Sequence, residues 1–485
     1  MSISAAMSNA LSGLNAASRQ AGAVSSNIAN ALNENYARRE VALTARRVGS
    51  TGQGVQVTGV VRITDPVVTG DRRTAQAAAA DRGTRAGALL RIEQALGSPE
   101  DAGSLTARIA AFDGALVAAA SRPESEARLG AAADAASALA ATLRRTTAEV
   151  QAVRKTADAG IAQDVARINA ALEGVAHLNA QILNLSGGGR DASALMDQRQ
   201  ELIDGIAALV PLREIAREGG VVALYTTGGA GLLDGTRPAR LEFAAAGVIT
   251  AEMTLASGAL SGLSLNGQPV ATGDDGMFAG GAMAARFALR DDLMPRVQAD
   301  LDALARDLIA RFEAPGRDPT LTPGAAGLFT DEGAALDPAL TRGLAGRITL
   351  NAAVDRDRGG AAWRLRDGLA AAAPGPSGAS ALLTALGAAL SDPRVTAEGS
   401  MAGGRRGLAN LAALTLSGLA TARLSAEAEA SFTATRADAL RGMELSGGID
   451  TDRELQDLLL IERAYGANAR VVQTVDMMIK TLLEI

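Results

Sequence analysis

The chain of 485 residues contains no cysteine and one histidine, and only 2% of it is aromatic. Without cysteine it forms neither disulfides nor thiolate metal sites, and with a single histidine the usual nucleophilic dyads and transition-metal sites lack their groups. The scarcity of aromatic side chains also argues against a large globular enzyme core. The sequence therefore predicts no catalytic site, no metal site and no cofactor.

Long apolar runs and clusters of positive charge are missing as well. Because no run of about 18 apolar residues occurs, no segment is expected to span a membrane. Arg19 is the first cation and no continuous apolar stretch follows it, so no cleaved signal peptide is expected. Lysine and arginine are dispersed along a chain of net charge −6, which argues against binding to nucleic acid or to an anionic membrane.

What the chain does contain is aliphatic and helix-forming. Apolar residues make up 48% of it, and since aromatics are rare these are alanine, leucine, valine and isoleucine. Alanine and leucine favour helices, and alanine-rich faces allow close helix packing. The sequence predicts a mainly α fold with an inserted small β domain, built as a long helical bundle in which the N-terminal and C-terminal helices pair.

Both ends of the chain carry apolar residues at alternating spacings of three and four, the heptad pattern of a helix–helix seam. The first seam fades at residues 30–35. The second follows Thr451-Asp452-Arg453-Glu454, which has the form of a capping box. Its polar member, Asn468, is expected to fix the register of the pair. The predicted assembly interface comprises Met7, Leu11, Leu14, Val24, Ile28, Leu458, Ile461, Tyr465, Asn468, Val472, Val475, Ile479 and Leu482.

The two terminal seams are expected to need partners beyond each other. Burial of their apolar side chains offsets only part of the backbone entropy lost when about sixty terminal residues become ordered. A two-helix pair alone should therefore be marginal. If the body of the protein does not supply the missing surface, other subunits must, so the seams favour a protein whose ends assemble.

The middle of the chain divides by composition. A further heptad pattern runs from Ile161 to Ile182, and strand-like stretches lie between residues 36 and 63. Residues 211–281 read as strands and turns, with Asn266-Gly267 as a hairpin signal. We expect a terminal coiled-coil domain of residues 1–60 and 445–485, a helical body of 61–210 and 282–444, and an inserted β domain of 211–281.

Three polar features could suggest chemistry, but each has a simpler interpretation. His177 lies off its seam, as a solvated residue would. Asp355 to Gly359 faintly resembles a calcium loop, yet its arginines oppose a cation and it lacks the later glutamate. Ser186 to Arg190 is glycine-rich but follows a helix and lacks the Gly-Lys-Ser/Thr ending of a phosphate-binding loop. We interpret them as a helix face, a surface turn and a linker.

The sequences of the two ends resemble those of a known family. Leu11-Ser12-Gly13-Leu14 and Ser26-Asn27-Ile28-Ala29-Asn30 are similar to the N-terminal signature of flagellar rod, hook and hook-associated proteins. Glu462-Arg463-Ala464-Tyr465 and the segment from Ala469 to Asp476 resemble the C-terminal signature. One departure is Asn33-Glu34-Asn35-Tyr36, where the family usually has Thr-Pro-Gly-Tyr.

Three further features resemble the hook-associated members that form the hook–filament junction. They are Gly54-Val55-Gln56-Val57 with Val61 to Pro66, Asp197-Gln198-Arg199 with Leu202-Ile203-Asp204, and the ending Thr481-Leu482-Leu483. The resemblance implies a flagellin-like axial architecture and a structural, non-enzymatic role outside the cell. It implies export through the flagellar type III channel without a cleaved signal. The implied partners are further copies of the chain, the hook protein, a second hook-associated junction protein and an export chaperone at the C-terminal region.

Other functions remain open from the residues alone. Within the same class, the chain could be a hook or distal rod protein. Heptad seams also occur in cytoplasmic coiled-coil adaptors and in signalling rods. A protein found only in the cytosol would belong to one of these classes. An enzyme is the third possibility, but the sequence offers no set of residues that could form an active site.

Overall fold

The computed structural model describes residues 3–48, 51–98, 100–188, 190–395, 399–400 and 402–483. The predicted mainly helical fold is confirmed. The helices are α1 (Ile3–Ala29), α2 (Pro66–Leu96), α3 (Leu105–Ser121), α4 (Glu126–Gly187), α5 (Ser193–Ala207), α6 (Ala282–Ala288), α7 (Met294–Phe312), α8 (Leu344–Arg347), α9 (Arg364–Asp367), α10 (Ala381–Ser391), α11 (Leu408–Ser446) and α12 (Thr451–Leu483). Among the described helices, none has the length and apolar character needed to cross a bilayer.

The strands are short apart from one hairpin. They are β1 (Arg38–Val48), β2 (Thr51–Ile63), β3 (Leu212–Ala216), β4 (Val222–Thr226), β5 (Gly231–Asp234), β6 (Arg237–Pro238), β7 (Leu241–Glu242), β8 (Leu263–Leu265), β9 (Gln268–Val270), β10 (Phe329–Asp331), β11 (Ile348–Leu350), β12 (Arg394–Val395) and β13 (Arg405–Arg406). Strands β3 to β6 form one antiparallel sheet and β7 to β9 another, while β1–β2, β10–β11 and β12–β13 are separate pairs.

The long helices pair in a nested order. α1 lies along α12, and inside this outer pair α2 lies along α11. Helices α3 and α4 begin with serine N-caps, because the Ser104 and Ser125 hydroxyls accept from Ala107 N and Arg128 N respectively. In both long pairs, the two helices that pack together lie hundreds of residues apart in the sequence.

Two hydrophobic cores fill the body. One joins α3, the first half of α4, α7, α10 and the start of α11. At its centre the ring of Phe329 packs edge-to-face against Phe112 and Phe312. The other lies between the second half of α4, α5, α6 and the strands of residues 212–265. The heptad residues from Ile161 to Ile182 are buried there. This third seam therefore lies inside the subunit.

The segment predicted as a β insert contains strands β3 to β9. The turn at Asn266-Gly267 is the two-residue hairpin loop that the sequence predicts, since both residues have positive φ, of 51° and 76°, and Leu265 pairs with Gln268. The apolar faces of these strands pack against α4 and α5, so their core is shared with helices.

The hairpin β1–β2 is attached to α1 through Ser12. The Ser12 hydroxyl donates to Asn9 O at 2.8 Å and accepts from Val55 N at 3.1 Å. Gly54 has a φ of +84°, and a Cβ there would lie 2.0 Å from Ser12 Oγ. Glycine is thus required at position 54 by its backbone conformation and by the close approach of the helix.

Replacing Gly54 with alanine is expected to release the hairpin from α1. The left-handed backbone alone costs a non-glycine residue about 1–3 kcal/mol, and the clash with Ser12 adds to it. Amide hydrogen exchange should show lost protection in residues 52–60. Gly59→Ala is the matched control, because position 59 has open space around it. Equal protection in both variants would contradict this account.

Candidate assembly surface

α12 begins differently from the sequence prediction. Asp450, not Thr451, caps the helix, because its Oδ1 accepts from Asp452 N at 3.0 Å and from Arg453 N at 3.3 Å. The predicted capping box of residues 451–454 is therefore wrong. The side chain of Glu454 turns towards the N-terminal part of the chain instead and is fully buried.

A group of polar side chains joins α1, α12 and the hairpin; we call Asn27, Tyr36, Arg38, Arg39 and Glu454 the basal node. Asn27 is fully buried, and its Nδ2 donates to Glu454 Oε2 at 2.9 Å and to Arg39 O at 3.0 Å. Its Oδ1 accepts from Arg39 N at 3.0 Å and from Tyr36 Oη at 3.1 Å. One amide thus connects three segments of the chain.

The charge of Glu454 is balanced inside the basal node. Its Oε1 lies 2.5 Å from Arg38 Nε. Burial of the Arg38 guanidinium opposes its charge, but hydrogen bonds to Glu454 and Glu40 outweigh burial, and the pKa of Arg38 is raised. Removing Arg38 would leave the buried Glu454 carboxylate without its ion-pair partner, whereas Arg38 would keep Glu40 if Glu454 were removed.

The turn that departs from the usual family sequence has defined geometry. Asn33 Oδ1 accepts from Asn35 N at 3.2 Å, and Asn33 O accepts from Tyr36 N at 3.0 Å. Asparagine side chains stabilise such turns by bonding to the backbone two residues later. This turn places Tyr36 in the basal node.

Asp197 on α5 attaches the hairpin to the body. Its carboxylate lies 2.8 Å from Arg39 Nη2 and 2.7 Å from Arg62 Nη2, and it also accepts from Ala37 N at 3.3 Å. Farther along α5, Asp204 lies 2.8 Å from Arg72 and 2.6 Å from Arg73 of α2. Both aspartates belong to the motif Asp197-Gln198-Arg199 with Leu202-Ile203-Asp204 noted in the sequence. Asp197 holds the hairpin against the body, and Asp204 holds α2 against it.

α1 and α12 are antiparallel with a defined register. Position 13 lies against Asn468, and Asn27 contacts Glu454. Fourteen residues separate the two contacts on either helix, which is two heptads and about 21 Å of helix. The seam predicted from the sequence is therefore formed within one chain.

The predicted interface residues fall into two groups. Some lie against the pair or the hairpin: Val24 and Val475 are buried, and Met7, Leu14, Ile28, Leu458, Ile461, Asn468 and Val472 are partly buried. The others remain exposed: Leu11, Tyr465, Ile479 and Leu482. The seam alone did not distinguish residues that hold the pair together from residues that remain available to neighbours.

Sequence reasoning missed a broader apolar surface on α12; we call it the outer face. Its members, in addition to Tyr465, Ile479 and Leu482, are Leu455, Leu459, Leu460, Val471, Met477, Met478 and Leu483, between 43% and 81% exposed. The run Leu458-Leu459-Leu460-Ile461 was the available signal, because four consecutive apolar residues point to all sides of a helix. A helix that is apolar all round is normally buried all round.

Comparison with known proteins agrees with the resemblance found in the sequence. The model of the flagellar hook-associated protein FlgK helical domain matches residues 89–324, and that of the flagellar basal body rod FlgEFG protein C-terminal matches residues 442–485. The chain is similar to the flagellar hook-associated protein family over residues 89–324, just under half of its length. The second match covers α12 and the end of α11, so it includes the whole outer face.

Curated relatives extend the comparison. The chain is 30% identical to flagellar hook-associated protein 1 of Salmonella typhimurium over 246 residues, 49% of this chain and 44% of the relative. It is 28% identical to that of Escherichia coli, covering 45% of the relative, and 27% identical to that of Bacillus subtilis, covering 42%. The matches thus span less than half the length of these relatives. The flagellar hook junction protein FlgK from Burkholderia pseudomallei aligns over 54% of this chain and 46% of its own, with 19% identity and a TM-score of 0.44.

Proposed function

We propose that this chain is a structural subunit of the bacterial flagellum that polymerises through its terminal helices at the junction between hook and filament. The outer face of α12 is the observation that carries the proposal. Its side chains are large, apolar and exposed over a helix of 33 residues. Large, contiguous, exposed apolar patches on soluble proteins mark interaction sites.

The occupant of the outer face is proposed to be the terminal helices of neighbouring subunits. The exposed apolar side chains of α12 gain stability when other apolar helices cover them. The hook protein on one side and a second hook-associated protein on the other are the proposed heterologous partners. An export chaperone is proposed to cover the C-terminal region before export, and the assembled position is proposed to lie outside the cell.

Deletion of the gene tests the junction assignment directly. We expect cells with hooks that carry no filament, and flagellin released into the medium, because the connecting zone is absent. Electron microscopy of the cells and immunoblots of the medium measure both effects. Absence of the hook itself would instead identify a hook or rod protein, and normal filaments would refute a role in the axial structure.

Polar substitution on the outer face tests the proposed interface. The double variant Leu459→Gln, Leu460→Gln should abolish incorporation into flagella, because both side chains would otherwise be covered by neighbours. They are 56% and 62% exposed, so the free energy of unfolding should change by less than about 0.5 kcal/mol for each. Complementation of the deletion strain and denaturant unfolding measure the two quantities.

The matched control changes exposed polar residues of the same helix. Gln456→Ala and Gln473→Ala should leave incorporation intact. If the leucine double variant incorporates as well as these controls, the outer face is not the assembly interface. Retention of the complementing protein in the cytosol, with no flagellar fraction even for the unaltered chain, would favour a coiled-coil adaptor.

A further inference from the structure

Gly13 of α1 lies directly under the side chain of Asn468 on α12. A Cβ at position 13 would lie 2.7 Å from both Nδ2 and Oδ1 of Asn468 and 2.8 Å from its Cγ. The Asn468 amide is held along its own helix, because Nδ2 donates to Ala464 O at 2.9 Å. Only glycine leaves room for the amide in this position, so the pair consists of a notch on one helix and a polar knob on the other.

Apart from the basal node, the remaining contacts of the pair say little about axial position. The buried positions of α1 towards its start are small alanines: Ala10, Ala16 and Ala17. Small residues repeated along a seam offer similar packing after a shift of seven residues, since the heptad pattern is preserved. Distinct contacts at single positions are what select one register over another.

If α12 shifted by one heptad along α1, Asn468 would no longer lie over Gly13. Asn468 would then face position 6 or position 20, which are Ala6 and Gln20, and neither offers the space of a glycine. Glu454 would at the same time leave Asn27. The basal node fixes the base of the pair, and Gly13 with Asn468 fixes the distal half, 14 residues farther along each helix.

We infer that Gly13 and Asn468 form a register key that sets the axial position of α12 on α1. The key thereby determines which apolar side chains of α12 are covered by α1 and which remain on the outer face. Its consequence for assembly rests on the function proposed above, whereas the register itself is a property of the single chain.

Disulfide cross-linking can read the register, because the natural chain contains no cysteine. In the register described, position 475 lies opposite position 6, and Val475 is indeed buried. Ala6→Cys with Val475→Cys reports the native register. Ala6→Cys with Leu482→Cys reports a shift of one heptad, and neither pair touches the key or the basal node. Oxidation is done on purified full-length chain under conditions in which hydrogen exchange shows protection of α1 and α12, and the products are separated on non-reducing gels.

We expect the native reporter to form its disulfide and the shifted reporter to form little in the unaltered background. Adding Asn468→Ala should make the shifted disulfide appear, because the knob is lost. Adding Gly13→Asn should reduce the native disulfide, and the exchange Gly13→Asn with Asn468→Gly should restore it, since notch and knob then swap helices. The exchange distinguishes a register effect from simple loss of folding.

Gly22→Ala is the matched control, because position 22 lies on the same helix with open space around it. Alanine favours helix over glycine, so this variant should keep the native disulfide and strengthen helicity. If Asn468→Ala leaves the shifted reporter silent and the exchange fails to restore the native one, there is no register key. Normal filaments in the deletion strain would overturn the proposed function but leave the cross-linking result unaffected.

Discussion

Replacing Arg290 with methionine is expected to lower the free energy of unfolding by about 3–5 kcal/mol, the effect of leaving a buried charge without its partner. Arg290 and Asp158 are both at most 1% exposed and lie 2.7 Å apart. The guanidinium also contacts Asp291 at 2.8 Å and stands over the rings of Phe243 and Phe287, at 5.3 and 5.1 Å from their centres. Methionine keeps the packing against the rings but leaves the Asp158 carboxylate buried and unpaired.

Urea unfolding monitored by circular dichroism measures the lost free energy of unfolding. Two further variants test whether the loss comes from the unpaired charge. Asp158→Asn added to Arg290→Met should recover part of the stability, because the unpaired charge is removed. Arg296→Met is the matched control, since Arg296 pairs with Asp292 at 2.7 Å but is 72% exposed, and surface pairs contribute about 0–1 kcal/mol. A loss in Arg290→Met no greater than in Arg296→Met would contradict the importance of the buried pair.

Replacing Asn27 with alanine is expected to detach α1 from α12 and from the hairpin while the body stays folded. The variant removes all four hydrogen bonds of the Asn27 amide and leaves Glu454 and the Arg39 backbone without those partners. One unsatisfied buried polar group costs about 1–3 kcal/mol, so the local opening free energy should fall by about 2–4 kcal/mol. Hydrogen exchange resolved along the chain should show lost protection in α1, β1 and α12 but not in α4.

Asn30→Ala is the control within the same sequence motif. The Asn30 side chain donates to Ser26 O at 2.9 Å, one turn earlier on the same helix end. Its loss should change local opening by less than about 0.5 kcal/mol, in the range of ordinary surface substitutions. Equal loss of protection in the two variants would mean that the basal node does not hold the terminal pair.

The sequence predicts the helices well because their signals are local. Heptad spacing located α1, α12 and the second half of α4. The Asn266-Gly267 dipeptide located a hairpin turn, since positive φ at two successive residues is a property of those residue types. The pattern could not tell which seam is fully buried within its own subunit and which leaves apolar side chains exposed. The residues from Ile161 to Ile182 repeat like the terminal ones, yet they pack on strands of the same subunit.

The polar anchors could not be predicted because their partners are distant in the sequence. Glu454 has the spacing of a capping glutamate, and nothing local indicates that Asn27 and Arg38 reach it first. Asp197 stands in a motif that resembles one of the family, but its role depends on Arg39 and Arg62, more than a hundred residues earlier. Likewise, nothing local in the sequence indicates that Gly13 makes room for the side chain of Asn468.

The nested order of the helix pairs carries a consequence for the way the protein is completed. The inner pair, α2 with α11, can form only after α11 has been synthesised. The outer pair, α1 with α12, can form only after α12, which is synthesised after every other described helix. A chain interrupted before Thr451 leaves α1 without its partner and lacks the outer face altogether. Under the proposed function, we therefore expect that only a chain that has been made through α12 can be incorporated beside neighbouring subunits.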